Sequence, residues 1–184
     1  MTVTPEAAPI PEDRAARVRL ALDAAHEALC LARREADGGD PRWMALGIVS
    51  ALQGALVAAL SGYETARVED VLNPSQANRI APVALLLRRA RSPEFLNPPE
   101  RVEQTGSQQR ALERVIGVRN SAVHALNVHV PGSFAADARI VLGLIARLVL
   151  EAPAFDAAPL GVLTALIADE LAALRRALAA ARPG

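Results

Sequence analysis

The stretch PRWMALGIVSALQGALVAALSGY, residues 41–63, decides the fold. From Trp43 to Tyr63 it carries no charge, and its apolar residues recur at helical spacing. Read as a helix, its rows at i, i+4 differ in size. Gly47, Ala51, Ala55 and Ala59 form one small ridge, with Ser50, Gly54, Ala58 and Gly62 beside it, while Ile48, Leu52, Leu56 and Leu60 fill the opposite side. A helix that is apolar all round but small on one side suits the centre of a bundle, where a neighbour can approach closely. The stretch also meets the about 20 apolar residues that a membrane span needs. Ser50 and Gln53 would face lipid poorly, so a core helix is the adopted reading and no membrane partner is expected.

Working outward, Asp40 suits an N-cap and Pro41 the first helical position, and Gly38 and Gly39 stop whatever precedes them. Upstream, Val18, Leu22, Ala25, Leu29 and Ala32 predict a first helix from near Glu12 to Ala36, leaving residues 1–11 extended or disordered. Downstream, residues 64–105 read as a less regular excursion, with a helix from Pro74 or Ser75 to Arg91 followed by a loop through Pro93, Pro98 and Pro99. A fourth helix starts near Ser107 and runs until Pro131 and Gly132 close the unit. A fifth covers Ser133 to about Leu150. A sixth spans Pro159 to Ala181, with Leu160, Leu163, Ile167, Leu171, Leu174 and Leu178 as its seam. The sequence contains no internal repeat and predicts no strand. The expectation is an all-α, single-domain, up-and-down bundle of five or six helices over residues 12–184.

Composition agrees with this. Hydrophobic residues make up 52% of the 184 but aromatics only 3%, so Ala, Leu, Val and Ile must build the core, a mixture that favours helix. Twenty basic residues, all Arg, balance twenty acids, and a neutral chain has no long-range field to draw in a polyanion nonspecifically. Cys30 is the single cysteine, so no internal disulfide can form. The first eleven residues lack a basic segment followed by an apolar one, and a cytoplasmic location is expected.

Chemistry concentrates in the fourth helix. At about 100° per residue, Leu112, Val115, Ile116, Val123 and Leu126 form its apolar centre, with Arg119 falling among them. Asn120 and His124 continue the row Leu112, Ile116 along the flank. Three hydrogen-bonding side chains thus interrupt a face that otherwise favours burial, and they need a partner: another helix, a second subunit or a ligand.

The run Arg119, Asn120, Ser121, Ala122, Val123, His124 resembles the motif of the HEPN superfamily, an Arg and a polar residue followed by a His, and the Ala- and Leu-rich helices around it extend a looser likeness over residues 12–150. Chance alone yields an Arg and a His at one fixed spacing roughly 0.3 times in such a sequence, and about 0.01 times once Asn must follow the Arg. Arg19 and His26 meet only a looser spacing and are set aside. The resemblance implies a helical bundle that pairs through the motif as a homodimer. It also implies a metal-independent endoribonuclease of the kind found in toxin–antitoxin and antiviral systems, or a noncatalytic module that docks on itself or on a separately encoded partner. On this reading His124 is general base or acid at the ribose 2′-hydroxyl and leaving oxygen. Arg119 stabilises phosphate charge and Asn120 orients the phosphate. Arg119 and His124 lie about 140° apart on an ideal helix, so convergence calls for a second copy across a dyad. Gly117, on the same flank, would let another backbone approach. The structural alternative pairs Arg119 with a buried acid or helix end, with no catalysis.

Weaker candidates remain. Arg79, Arg88, Arg89 and Arg91 concentrate positive charge that could contact RNA phosphates, or simply form a solvated face. His26 and Cys30, four residues apart, are a pair of metal-ligand types, but two ligands are insufficient and His124 or His129 would have to join them. The plainer reading is a packed cysteine beside a surface histidine, so no cofactor or metal is expected and chelators should leave activity untouched. The sequence contains no Gly-rich phosphate loop, serine-nucleophile motif or convincing carboxylate pair.

Overall fold

A computed structural model describes residues 10–38, 40–76, 78–124 and 130–180. The first helix, α1 (Arg14–Gly38), opens at Asp13, whose carboxylate accepts the Ala16 amide at 2.7 Å. The second, α2 (Pro41–Leu60), starts as the sequence predicts: Asp40 caps the Arg42 amide at 2.9 Å and Pro41 takes the first turn.

These two helices form an antiparallel pair along a seam of small residues. A Cβ on Gly47 would lie 2.6 Å from the Ala28 carbonyl oxygen and 2.8 Å from Ala32 Cβ; on Gly54 it would lie 2.6 Å from the Ala21 carbonyl oxygen. The contacting positions are thus seven apart and cross the two ridges read from the sequence, as a nearly antiparallel packing of helices requires. Ser61, seven further on, meets Arg17, which is buried yet spends its guanidinium on neutral acceptors. Its Nε donates to Ser61 Oγ at 2.9 Å, and its Nη1 donates to the Pro11 and Glu12 carbonyls at 2.9 and 3.0 Å. Arg14 Nη1 adds a bond to the Gly62 carbonyl at 2.9 Å. Both cations therefore stand at the negative end of the α2 dipole. Pro11, in the segment expected to be extended or disordered, has no regular secondary structure and is held by its carbonyl; residues 1–9 lie outside the described residues.

The expected helix from Pro74 or Ser75 to Arg91 is instead a loop followed by a short helix, α3 (Val83–Ala90). Residues 72–80 close on themselves through an antiparallel bridge between Leu72 and Ile80, with Asn78 at φ 60° and the Asn73 side chain accepting the Ser75 amide at 3.1 Å. Pro82 is the reason for the late start. It disfavours helical backbone at Ala81, so the helix begins only after it.

Helices α4 (Gly106–His124), α5 (Phe134–Ala146) and α6 (Gly161–Ala180) complete an all-α bundle of six helices among the described residues. Where the fifth helix was expected to run on to Leu150, α5 widens into a π turn over Arg147–Glu151. Helix α2 sits in the middle, packed against α1, α3, α4 and α5, and α6 lies across α1 and α5. Its seam is as expected: Ile167, Leu171, Leu174 and Leu178 are buried, with Leu160 and Leu163 half-buried. Although α2 is long and apolar enough to span a membrane, 78% of its apolar window is buried by the other helices.

Candidate functional site

Helix α4 is held at its start and near its middle. Thr105 and Gln108 form a reciprocal cap, the Thr105 hydroxyl accepting the Gln108 amide at 3.3 Å and the Gln108 side chain accepting the Thr105 amide at 2.9 Å. Arg114 clamps the helix to α5 with a two-pronged bond to the buried Asp137 carboxylate, Nε at 2.7 Å and Nη2 at 2.6 Å, and the Ser133 hydroxyl donates to the same carboxylate at 2.9 Å. The Arg114 guanidinium, followed by Ser133, holds the Asp137 carboxyl below the usual carboxylate range against the opposing effect of burial.

The buried face of α4 is rotated from the expected one. Ala111, Leu112, Val115 and Val118 are buried, whereas Ile116 is half-buried and Val123 is 49% exposed. The face turns toward α2 and α5, leaving the Ile116–Val123 side at the surface; Leu126 lies outside the described residues. Arg119 therefore stands at the border of the core instead of its middle. Its Nη1 donates to Asn120 Oδ1 at 2.9 Å, while its Nε is buried with no hydrogen-bond partner among the described residues. No carboxylate pairs with it there either. Asn120 is exposed, and a Cβ on Gly117 would meet nothing within 4 Å. His124 is the last residue of α4, its side chain outside the description, as is all of His129.

A groove of about 460 Å³ runs between α3 and α4, lined by Leu87, Arg88 and Arg91 on one side and Leu112, Glu113 and Ile116 on the other. Leu112 and Ile116 belong to the helical row that continues through Asn120 to His124, so the groove leads along α4 toward the motif. Of the four arginines singled out in the sequence, Arg88 and Arg91 are exposed on this groove. Arg79 sits apart in the loop, its Nη1 3.4 Å from Gln76 Oε1. Arg89 is engaged internally: Nη1 donates to the Asp70 and Leu72 carbonyls, both at 2.9 Å, and the guanidinium lies 5.9 Å from the Phe95 ring centroid. It holds the excursion onto α3.

Two features were not legible in the sequence. Arg147 Nε and Gln104 Oε1 are buried without partners among the described residues, and both residues line a cavity of about 350 Å³ beside the π turn. The second concerns His26 and Cys30, which acquire a third ligand type from α6. Glu170 of α6 faces them, and the three ligand atoms lie within 4.8 Å of one another. Burial, then the Glu170 carboxylate, pushes the Cys30 thiol up, with Arg33 and Arg34 opposing. Such a thiol is a poor free nucleophile. Comparisons with protein-family models, with characterised proteins and with solved structures find no match.

Proposed function

We propose that the chain is a HEPN-like, metal-independent endoribonuclease of the cytoplasm that works as a homodimer through Arg119, Asn120 and His124. The observation that carries the proposal is the state of Arg119: a half-buried guanidinium whose Nε has no partner among the described residues and whose one bond among them goes to the exposed Asn120, one helical turn beyond Ile116 of the open groove. A purely structural arginine would be expected to close its donors on internal acceptors, as Arg17, Arg89 and Arg114 do on a hydroxyl, carbonyls and a carboxylate. An RNA strand along the groove would meet Arg88 and Arg91 as phosphate contacts. His124 accepts the proton of a ribose 2′-hydroxyl as its oxygen bonds to phosphorus. The phosphorus to 5′-oxygen bond breaks, and the leaving oxygen takes a proton from the imidazolium across the dyad, while Arg119 stabilises the charge on the phosphoryl oxygens.

The test is cleavage of a mixed-sequence RNA by the purified chain in the presence of chelator, alongside Arg119→Ala and His124→Ala. Each substitution is expected to reduce cleavage by about 100-fold or more, the scale of a lost acid–base or charge-stabilising group, with circular dichroism unchanged. Undiminished cleavage in both variants removes these residues from the mechanism. The 49% exposure of Val123, one turn beyond Arg119, favours a second reading, a noncatalytic module that uses the same face for docking. Under that reading Val123→Asp would dissociate a dimer in sedimentation analysis while no RNA is cut by the wild type.

A further inference from the structure

The chain carries a second constellation on the α1/α6 side of the bundle, independent of the RNA reading. His26 and Cys30 stand one helical turn apart on α1, with His26 Nε2 3.5 Å from Cys30 Sγ. Glu170, from the middle of α6, brings a carboxylate oxygen to within 4.8 Å of both. In a tetrahedral zinc site, a nitrogen at about 2.0 Å and a sulfur at about 2.3 Å from the metal are themselves about 3.5 Å apart. The His26–Cys30 separation already has that value. All three residues are half-buried, shielded enough to favour charge neutralisation yet open enough to admit an ion.

Glu170 is also oriented from behind. Arg33 Nε donates to its Oε2 at 2.6 Å, and the Glu170 side chain is only 16% exposed. The carboxylate is thereby held in place, an arrangement that commonly aims a metal-binding carboxylate. Thiolate and carboxylate together neutralise a divalent ion, and imidazole adds a neutral donor. This mixed sulfur, nitrogen and oxygen set suits a borderline first-row cation, whereas magnesium and calcium favour oxygen donors.

We propose that His26 Nε2, Cys30 Sγ and Glu170 form a binding site for one zinc-class divalent cation, with water in a fourth position. As the metal–sulfur bond forms, the Cys30 thiol proton passes to solvent. The ion cross-links α1 to α6 across 140 residues of chain from Cys30 to Glu170.

Cobalt(II) titration of the 184-residue chain, stripped with chelator and kept reduced with a phosphine, tests the site. One equivalent is expected to give a near-ultraviolet thiolate-to-cobalt charge-transfer band and strong visible absorption of a four-coordinate ion, both removed by one equivalent of zinc. Cys30 is the single cysteine, so the band has one source, and Cys30→Ser must abolish it. His26→Ala and Glu170→Gln should each weaken cobalt binding tenfold or more with helix content retained. Solutions that keep the spectrum of hydrated cobalt overturn the proposal, as does full-strength binding in Glu170→Gln. Should a variant fail to fold, the wild type decides: stoichiometric zinc is expected to slow alkylation of Cys30 at least tenfold, and an unchanged rate overturns the site.

Discussion

At the scale of single residues, the arginines of this chain divide by what their donors meet. Arg17, Arg89 and Arg114 are consumed inside the fold, by carbonyls, a hydroxyl and a carboxylate, and Arg119 is not. The sequence could rank Arg119 by its neighbours Asn120 and His124, but it gave no sign that Arg17 is buried, because a lone arginine in an amphipathic helix usually reaches water along its stem. Asp137 was equally silent, since its partner Arg114 lies 23 residues away. That carboxylate supplies a pH-dependent part of the stability. Its folded pKa is depressed, chiefly by Arg114, so the contribution is fully present above the unfolded value near 3.9 and is lost as pH falls through the folded value. Urea unfolding is expected to find Asp137→Asn less stable than wild type at neutral pH, with the gap closing in acid below about pH 4. A gap that stays constant into acid would show that the charge is not what matters there.

Elements were read most reliably where their boundaries are local. Asp40 with Pro41 sets the start of α2 through capping and backbone preference alone, although Gly38, expected to stop the first helix, is its last residue. The helix expected from Pro74 or Ser75 was placed too early because the restriction that Pro82 imposes on Ala81 was not weighed. The rotation of α4 escaped for another reason, as Val118 and Val123 are chemically alike and only packing against α2 and α5 tells them apart. The α1/α2 seam yields an opposed pair of expectations. Replacing a helical glycine with alanine normally gains about 0.5–1 kcal/mol, and Gly143→Ala in α5, where a Cβ meets nothing within 4 Å, is expected to do so. Gly47→Ala should instead lose about 1–3 kcal/mol, an overpacking cost, because its Cβ would press on the Ala28 backbone at 2.6 Å. Chemical denaturation of the two variants checks the opposite signs, and a stabilising Gly47→Ala would mean that the seam is looser than described.

For the molecule as a whole, the central place of α2 was legible from its composition, but which helices surround it was not. The juxtaposition of Glu170 with Cys30 arises only when α6 is laid on α1, a pairing no periodicity announces. Central placement also predicts dynamics. Amides of α2 from Ile48 to Leu60, enclosed by four other helices, are expected to exchange with deuterium only through global unfolding. Those of α3 and the loop before it should exchange sooner, as mass spectrometry of peptic fragments can show. A final consequence follows from Arg17. By gripping the carbonyls of Pro11 and Glu12 against Ser61, it fixes the bearing at which the polypeptide enters the bundle. A fluorescent reporter spliced just upstream through a stiff joint would inherit that heading, so its orientation would be set by one guanidinium and released when that guanidinium is removed.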